Sequence, residues 1–285
     1  MGILFALTAL FSWGLGDFLI QKSTRKFGDW ISLFYITAFS SVVLFPFVYK
    51  EIMTSLSGHS VLLLLSGFVI LFAALLNFEA LREGKISIVE PIYALEIIVV
   101  VFLSTFVIHE KLSLLQIALV GLSMIGIFLV STKSFSHFKG VKLEKGLWYA
   151  IFAALFMGTA TFMFGFGSRE INPLMINWFT SFFITIVALV YLTFNSRLKE
   201  VAEDLKKNKR LIFNVSFFDN LAWVMFSFAT LYIPIAVATS ISEGYIAFAS
   251  FLGLVINKEK LKYHQIFGFL IAFISIVILS IVTDK

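Results

Sequence analysis

The pattern of hydrophobic and polar positions divides the chain into long apolar runs joined by short polar connections. Ten runs are each long enough to cross a bilayer as a helix, which takes about 20 apolar residues. They cover residues 3–21, 31–49, 61–81, 86–107, 113–131, 146–167, 174–194, 211–232, 235–256 and 264–282. Few residues remain for a soluble domain. The pattern predicts an all-α polytopic membrane protein with ten transmembrane helices.

The fourth and ninth runs are followed by the same polar turn. Glu110-Lys111-Leu112 follows the fourth run and Glu259-Lys260-Leu261 follows the ninth, and each turn leads to a glutamine, Gln116 or Gln265. In a second register, Gly2 aligns with Gly146, Ala9 with Ala153, Gly14 with Gly158 and Arg25 with Arg169. We interpret the chain as two homologous halves of five helices.

The two halves are residues 1–132 and 146–285, and the loop 133–145 connects them. Because five is an odd number, the second half must enter the membrane in the opposite direction to the first. Inverted repeats of this kind place a binding site near the membrane midplane between the halves, and rocking of one half against the other gives alternating access. Transport is therefore the leading hypothesis.

Composition excludes several classes of protein. Hydrophobic residues make up 60% of the chain and charged residues only 14%, against about a quarter charged in a typical soluble domain. The chain has no cysteine, so it has no disulfide, thiolate metal site or cysteine nucleophile. The four histidines show no ligand spacing. We expect no metal, no cofactor and no enzymatic activity.

The net charge of +5 does not indicate a nucleic-acid partner, because the basic residues lie almost wholly in the loops. The loops after the odd-numbered runs hold 18 of the 22 Lys and Arg residues, and the opposite side holds Lys50, Lys111, Arg169 and Lys285. By the positive-inside rule, both termini are expected outside the cytoplasm. We expect a multi-pass protein of a prokaryotic cytoplasmic (inner) membrane.

Five carboxylates lie within the predicted spans: Asp17, Glu90, Glu96, Asp219 and Glu243. Charge inside a bilayer is costly, so an acid there is a functional candidate by default. The alternative for each is a structural hydrogen bond to a neighbouring helix, and Glu90 is close enough to its helix start to be interfacial. Three further candidates for the same site are Tyr93, Asn177 and Trp223.

The charges inside the spans are all acidic, and this favours one class of solute. No Lys or Arg lies comparably deep in a predicted span. An anionic solute would need such a cation, so a neutral or cationic solute is favoured. A buried acid without a fixed cation is also suited to exchanging a proton for a cationic solute.

These features resemble the drug/metabolite transporter superfamily, specifically its EamA-type members with ten helices. The resemblance rests on Phe11-Ser12-Trp13-Gly14, on Glu90-Pro91 and on the two repeated turns. It implies secondary active transport of a small metabolite or drug-like solute, often outward, driven by a proton or ion gradient. The second half departs from the pattern, with Thr239-Ser240 in place of the Glu-Pro pair, and the family's termini are usually cytoplasmic.

Two other classes compete with a transporter. Gly14-Leu15-Gly16-Asp17 matches a signature of intramembrane aspartyl proteases, which use two aspartates that share a proton. Asp219 is the candidate partner, but it follows Phe218 where those proteases have tyrosine. An ion channel would need a recognisable filter or charge ring, and none is visible. The expected partners are a small solute and the lipid bilayer, with a homodimer left open.

Overall fold

The structure is a computed structural model that describes residues 1–83, 92–132, 145–248 and 262–283. These residues form helices joined by short connections, and none of them lies in a strand. The helices are α1 (Gly2–Phe27), α2 (Asp29–Val48), α3 (Ile52–Glu83), α4 (Leu95–Phe106), α5 (Leu114–Ser131), α6 (Lys145–Glu170), α7 (Pro173–Phe194), α8 (Leu198–Lys207), α9 (Lys209–Ala229), α10 (Ile235–Ser242) and α11 (Tyr263–Thr283). The predicted all-α membrane fold is confirmed.

Within the described ranges, eight helices are long and apolar enough to cross a membrane. Two shorter apolar helices, Leu95–Phe106 and Ile235–Phe248, coincide with the fourth and ninth predicted spans. Both have at most 17 residues and are too short to count as spans by length, so the count of ten remains a prediction. Large apolar side chains are exposed around the bundle, including Phe47, Phe102, Phe213 and Phe267. An exterior of this kind requires lipid.

The helix boundaries differ from the predicted runs in three places. Helix α1 continues through the basic residues to Phe27 and ends where Gly28 adopts φ +82°, because Lys and Arg are good helix formers and glycine tolerates positive φ. Helix α3 begins nine residues before the predicted run, with non-helical backbone angles at His59. The segment after α7, predicted as a loop, contains the amphipathic helix α8.

Helices from the two halves interleave. Helix α1 packs on α9 and α3 packs on α6, while α4 packs on α6 and α10 packs on α1. The pairs α2–α7, α5–α11 and α4–α10 each join one helix to its predicted counterpart. If each helix is replaced by its counterpart in the other half, the contact of α1 with α9 becomes that of α6 with α3, and the contact of α4 with α6 becomes that of α10 with α1. The contacts are therefore symmetric between the halves.

One pair of counterpart helices, α5 and α11, runs antiparallel. Gln116, at the start of α5, donates to Thr283 at the end of α11, and Gln265, at the start of α11, donates to the carbonyl of Val130 at the end of α5. A two-fold rotation that exchanges two antiparallel helices must reverse the helix direction. Its axis therefore lies perpendicular to the helices. An inverted repeat requires this direction of every counterpart pair, and the inverted repeat stays a prediction.

An ion pair joins the two halves at one end of the bundle. At the end of α6, Arg169 donates to Glu110 (2.9 Å) and to the backbone carbonyls of Thr230 (2.7 Å) and Ile233 (2.9 Å). Glu110 also accepts from the backbone nitrogen of Ile235 at 3.0 Å. The pair thus fixes the first turn of α10 to the connection after α4.

Candidate functional site

A cavity of about 120 Å³ lies between the halves, lined by residues of α1, α2, α3, α4, α6, α7, α9 and the segment around α10. Four carboxyl groups line it: Asp17, Glu96, Asp219 and Glu243. Glu96 and Glu243 are buried in the bundle, whereas Asp17 and Asp219 are partly exposed. The apolar runs that carry these acids form helices from both halves, which brings together residues that are far apart in sequence.

Two of the acids form hydrogen bonds across the interface of the halves. The Thr161 hydroxyl on α6 donates to Glu96 Oε1 at 2.5 Å. The Tyr245 hydroxyl, which follows α10, donates to the carboxylate of Asp17 on α1. In the register that aligns Gly2 with Gly146, Asp17 falls opposite Thr161, and in the register that aligns Glu110 with Glu259, Glu96 falls opposite Tyr245. Each pair is thus the counterpart of the other, with acid and hydroxyl exchanged.

The acids also influence one another. Asp17 is close enough to Glu96 and to Asp219 for charges on these groups to interact. Helices α1 and α9 approach closely at this level, since a Cβ added to Gly16 would lie 3.7 Å from the Asp219 nitrogen. Like charges repel, so simultaneous negative charge on all of these acids is unfavourable.

Aromatic rings form one wall of the cavity. Trp13 and Trp223 meet edge to face, with ring centroids 5.2 Å apart and an interplanar angle of 85°. The ring centroid of Phe164 lies 4.5 Å from that of Trp223, and the ring centroid of Tyr245 lies 6.4 Å from that of Trp13. Aromatic faces attract cations, and apolar rings also bind the carbon framework of a solute.

Polar side chains of α7 and α9 line the cavity near its aromatic wall, and they bond within the bundle. Asn177 donates to the Ser227 hydroxyl (2.8 Å) and to the carbonyl of Pro173 (2.7 Å). Asn220 donates to the carbonyl of Ile36 at 2.9 Å, across the contact of α9 with α2. The Asn177 amide thus joins α7 to α9 within the second half, and the Asn220 amide joins α9 to α2 of the first half.

No Lys or Arg is among the described residues that line the cavity. Within the same part of the chain, no group of three or more His, Asp or Glu side chains is arranged to hold a metal ion. The chemistry available here is hydrogen bonding, proton exchange and attraction of positive charge.

Seven of the eight predicted site residues line this cavity, and Glu90 lies outside the described residues. The seven are Asp17, Tyr93, Glu96, Asn177, Asp219, Trp223 and Glu243. Tyr93 is buried, and its hydroxyl is 3.4 Å from the carbonyl of Asn77. Sequence reasoning did not name Thr161, Asn220 or Tyr245 as site residues. The alignment of the halves carries a signal for Thr161 and Tyr245, because it places them opposite acids.

Comparison with known proteins gives a consistent result. The model of the EamA-like transporter family matches residues 1–132 and 144–281. An uncharacterized transporter of Archaeoglobus fulgidus is 21% identical, over 97% of this chain and 97% of its own length. A crystal structure of a protein that is 11% identical has a TM-score of 0.70 and covers 100% of this chain and 99% of its own. At that identity the likeness shows the fold alone.

The apolar helices, the lipid-facing exterior and the family match define a multi-pass membrane transporter. The chain belongs to the EamA-like transporter family, which is part of the drug/metabolite transporter superfamily. The resemblance predicted from the sequence is confirmed.

Proposed function

We propose that this protein is a secondary transporter that exports a small neutral or cationic solute in exchange for protons. The observation that carries the proposal is the convergence of four carboxyl groups from both halves on one cavity, with no Lys or Arg in its described lining. Buried acids without a fixed cation attract positive charge, supplied by a proton or by the solute.

The proposed mechanism is alternating access by movement of the halves against each other. The interleaving of the halves and the antiparallel pair α5–α11 support it, because an inverted repeat can present the same cavity to either side. The pairs Glu96–Thr161 and Asp17–Tyr245 join α4 to α6 and α1 to the segment after α10. Such bonds would have to break and re-form as the halves move.

The proposal includes an orientation in which both termini face away from the cytoplasm. It rests on the distribution of basic residues, with 18 of 22 in the loops assigned to the cytoplasmic side. The Arg169–Glu110 pair would then lie at the outer end of the bundle.

An aspartyl protease is the weaker candidate. Asp17 and Asp219, the pair such an enzyme would need, do line one cavity. Membership of a transporter family argues against this reading.

Purified protein in liposomes tests the proposal. Labelled organic amines and neutral amino acids are first screened by thermal stabilisation of the protein, and the best binder is then used for transport. We expect saturable counterflow, in which unlabelled solute inside the vesicle accelerates entry of labelled solute. Solute flux that neither saturates nor responds to solute on the opposite side would indicate a channel and contradict a carrier.

A further inference from the structure

A groove lined by basic residues lies between the end of α1 and the connection of α8 with α9. We call it the basic groove, and its volume is about 550 Å³. Its cations are Lys22, Lys26, Lys206, Lys207, Lys209 and Arg210. Leu19 and Leu211 line the same groove, so an apolar edge adjoins the positive charge.

The groove lies at the level of lipid headgroups. Helix α1 has 26 residues, which gives a length of about 39 Å at about 1.5 Å per residue. The hydrocarbon core is only about 30 Å thick, so the last turns of α1, with Lys22 and Lys26, extend into the interface.

Helix α8 has the pattern of an interfacial helix. Its apolar residues Leu198, Val201, Ala202 and Leu205 share one face, and its other residues are charged. The Tyr35 hydroxyl of α2 donates to the Val201 carbonyl at 2.5 Å and holds α8 against the bundle. The basic groove therefore opens where the membrane surface meets the protein.

The positive charge of the groove is only partly compensated. Lys207 pairs with Glu203 at 3.2 Å, and Lys26 donates to Asn208. No acid is among the described residues that line the groove. Membrane orientation accounts for basic residues on this side, but it does not require residues from α1 and from the α8–α9 connection to meet in one groove.

We propose that the basic groove is a binding site for the headgroup of an anionic phospholipid. The phosphate would be held by the converging Lys and Arg side chains, as basic pockets between membrane helices hold such headgroups. Leu19 and Leu211 would contact the acyl chains, which a soluble phosphate lacks. The bound lipid would link α1 of the first half to α9 of the second.

Native mass spectrometry of the full-length protein in neutral detergent tests this site. The probes are dioleoylphosphatidylglycerol and, with identical acyl chains, zwitterionic dioleoylphosphatidylcholine. The groove variant carries Lys206→Gln and Arg210→Gln. The matched control carries Arg25→Gln and Lys199→Gln, which remove the same charge from exposed positions outside the groove lining.

We expect the wild type to prefer the anionic lipid, and the groove variant to bind it about 25-fold more weakly, about fivefold for each basic residue lost. The control variant should keep wild-type affinity. An equal loss in both variants would mean diffuse attraction and overturn the site. Displacement of the anionic lipid by an equal concentration of glycerol phosphate would overturn the assignment to a lipid.

Discussion

The carboxylate of Glu96 accepts its hydrogen bond from Thr161 where both side chains are buried, at 6% and 2% exposure. A buried polar group that loses its partner costs far more than the net gain from forming the bond. Thr161 therefore acts as a positioning residue that fixes the direction of the Glu96 carboxyl in the cavity.

Replacing Thr161 with valine keeps the shape of the side chain and removes the donor. We expect Thr161→Val to lower the free energy of unfolding by about 1–3 kcal/mol, measured by thermal or denaturant unfolding in detergent. Thr161→Ser, which retains a hydroxyl, should recover most of that loss. Equal stability of the valine and serine variants would show that the hydrogen bond contributes nothing.

At the residue scale, the sequence identifies acids but not their partners. Asp17, Glu96, Asp219 and Glu243 stand out because each interrupts an apolar run, and charge is rare there. Thr161 does not stand out, because threonine commonly bonds to its own helix in a membrane span. The alignment of the halves places Thr161 opposite Asp17, but the contact between α4 and α6 shows that its partner is Glu96.

At the scale of elements, close approach of helices depends on glycine at particular positions. Helices α5 and α11 touch through their backbones: a Cβ on Gly126 would lie 2.5 Å from the Ala272 nitrogen, and one on Gly268 would lie 2.7 Å from the Val130 nitrogen. Small residues allow this packing, which substitutes for the hydrophobic effect inside a bilayer.

Gly126→Ala is expected to destabilise the protein by about 1–3 kcal/mol, because backbone atoms at the contact must move apart. Gly121 lies on the same helix with nothing within 4 Å of an added Cβ, so Gly121→Ala serves as the control. It should leave the unfolding midpoint unchanged or raise it, since alanine favours helix. Equal unfolding midpoints of the two variants would contradict backbone contact between α5 and α11 at Gly126.

The sequence predicts a helix well where an apolar run is long enough to cross the bilayer and has polar residues at both ends. The apolar runs coincide with the long helices because each can bury its backbone hydrogen bonds only as a helix. Their ends are less predictable, as the extension of α1 to Phe27 shows. Helix α8 was not predicted, since a ten-residue stretch rich in Lys and Glu resembles a solvated loop until it packs against α2.

At the scale of the whole molecule, the interleaving of the halves creates the cavity. Neither half supplies it alone: Asp17 and Glu96 come from the first half, and Asp219 and Glu243 come from the second. The repeated turns in the sequence predicted two related halves, but they could not show which helices pair. That depends on contacts such as α1 with α9 and α3 with α6.

The proposed orientation can be tested with single cysteines, because the native chain has none. We expect Lys285→Cys to react with a membrane-impermeant maleimide in intact cells and Lys139→Cys to react only after lysis. The reverse pattern would place the termini in the cytoplasm and contradict the orientation. Expression level and membrane insertion of both variants are checked by immunoblot.

The central claim is that the acids of the cavity couple the solute to protons, and the pH dependence of transport by Glu96→Gln and Glu243→Gln tests it most directly. Glutamine keeps the size of the side chain and removes only its titration. Glu203→Gln is the control, because Glu203 is exposed and pairs with Lys207 outside the cavity.

Transport of the solute found by the stabilisation screen is measured in liposomes over a range of pH, with a pH-sensitive dye inside the vesicles. We expect the wild type and Glu203→Gln to move protons in exchange for the solute, at a rate that depends on pH. Glu96→Gln and Glu243→Gln should insert and bind solute but lose that dependence. Unchanged pH dependence in both cavity variants would mean that these acids are structural, and proton coupling through the cavity would be wrong.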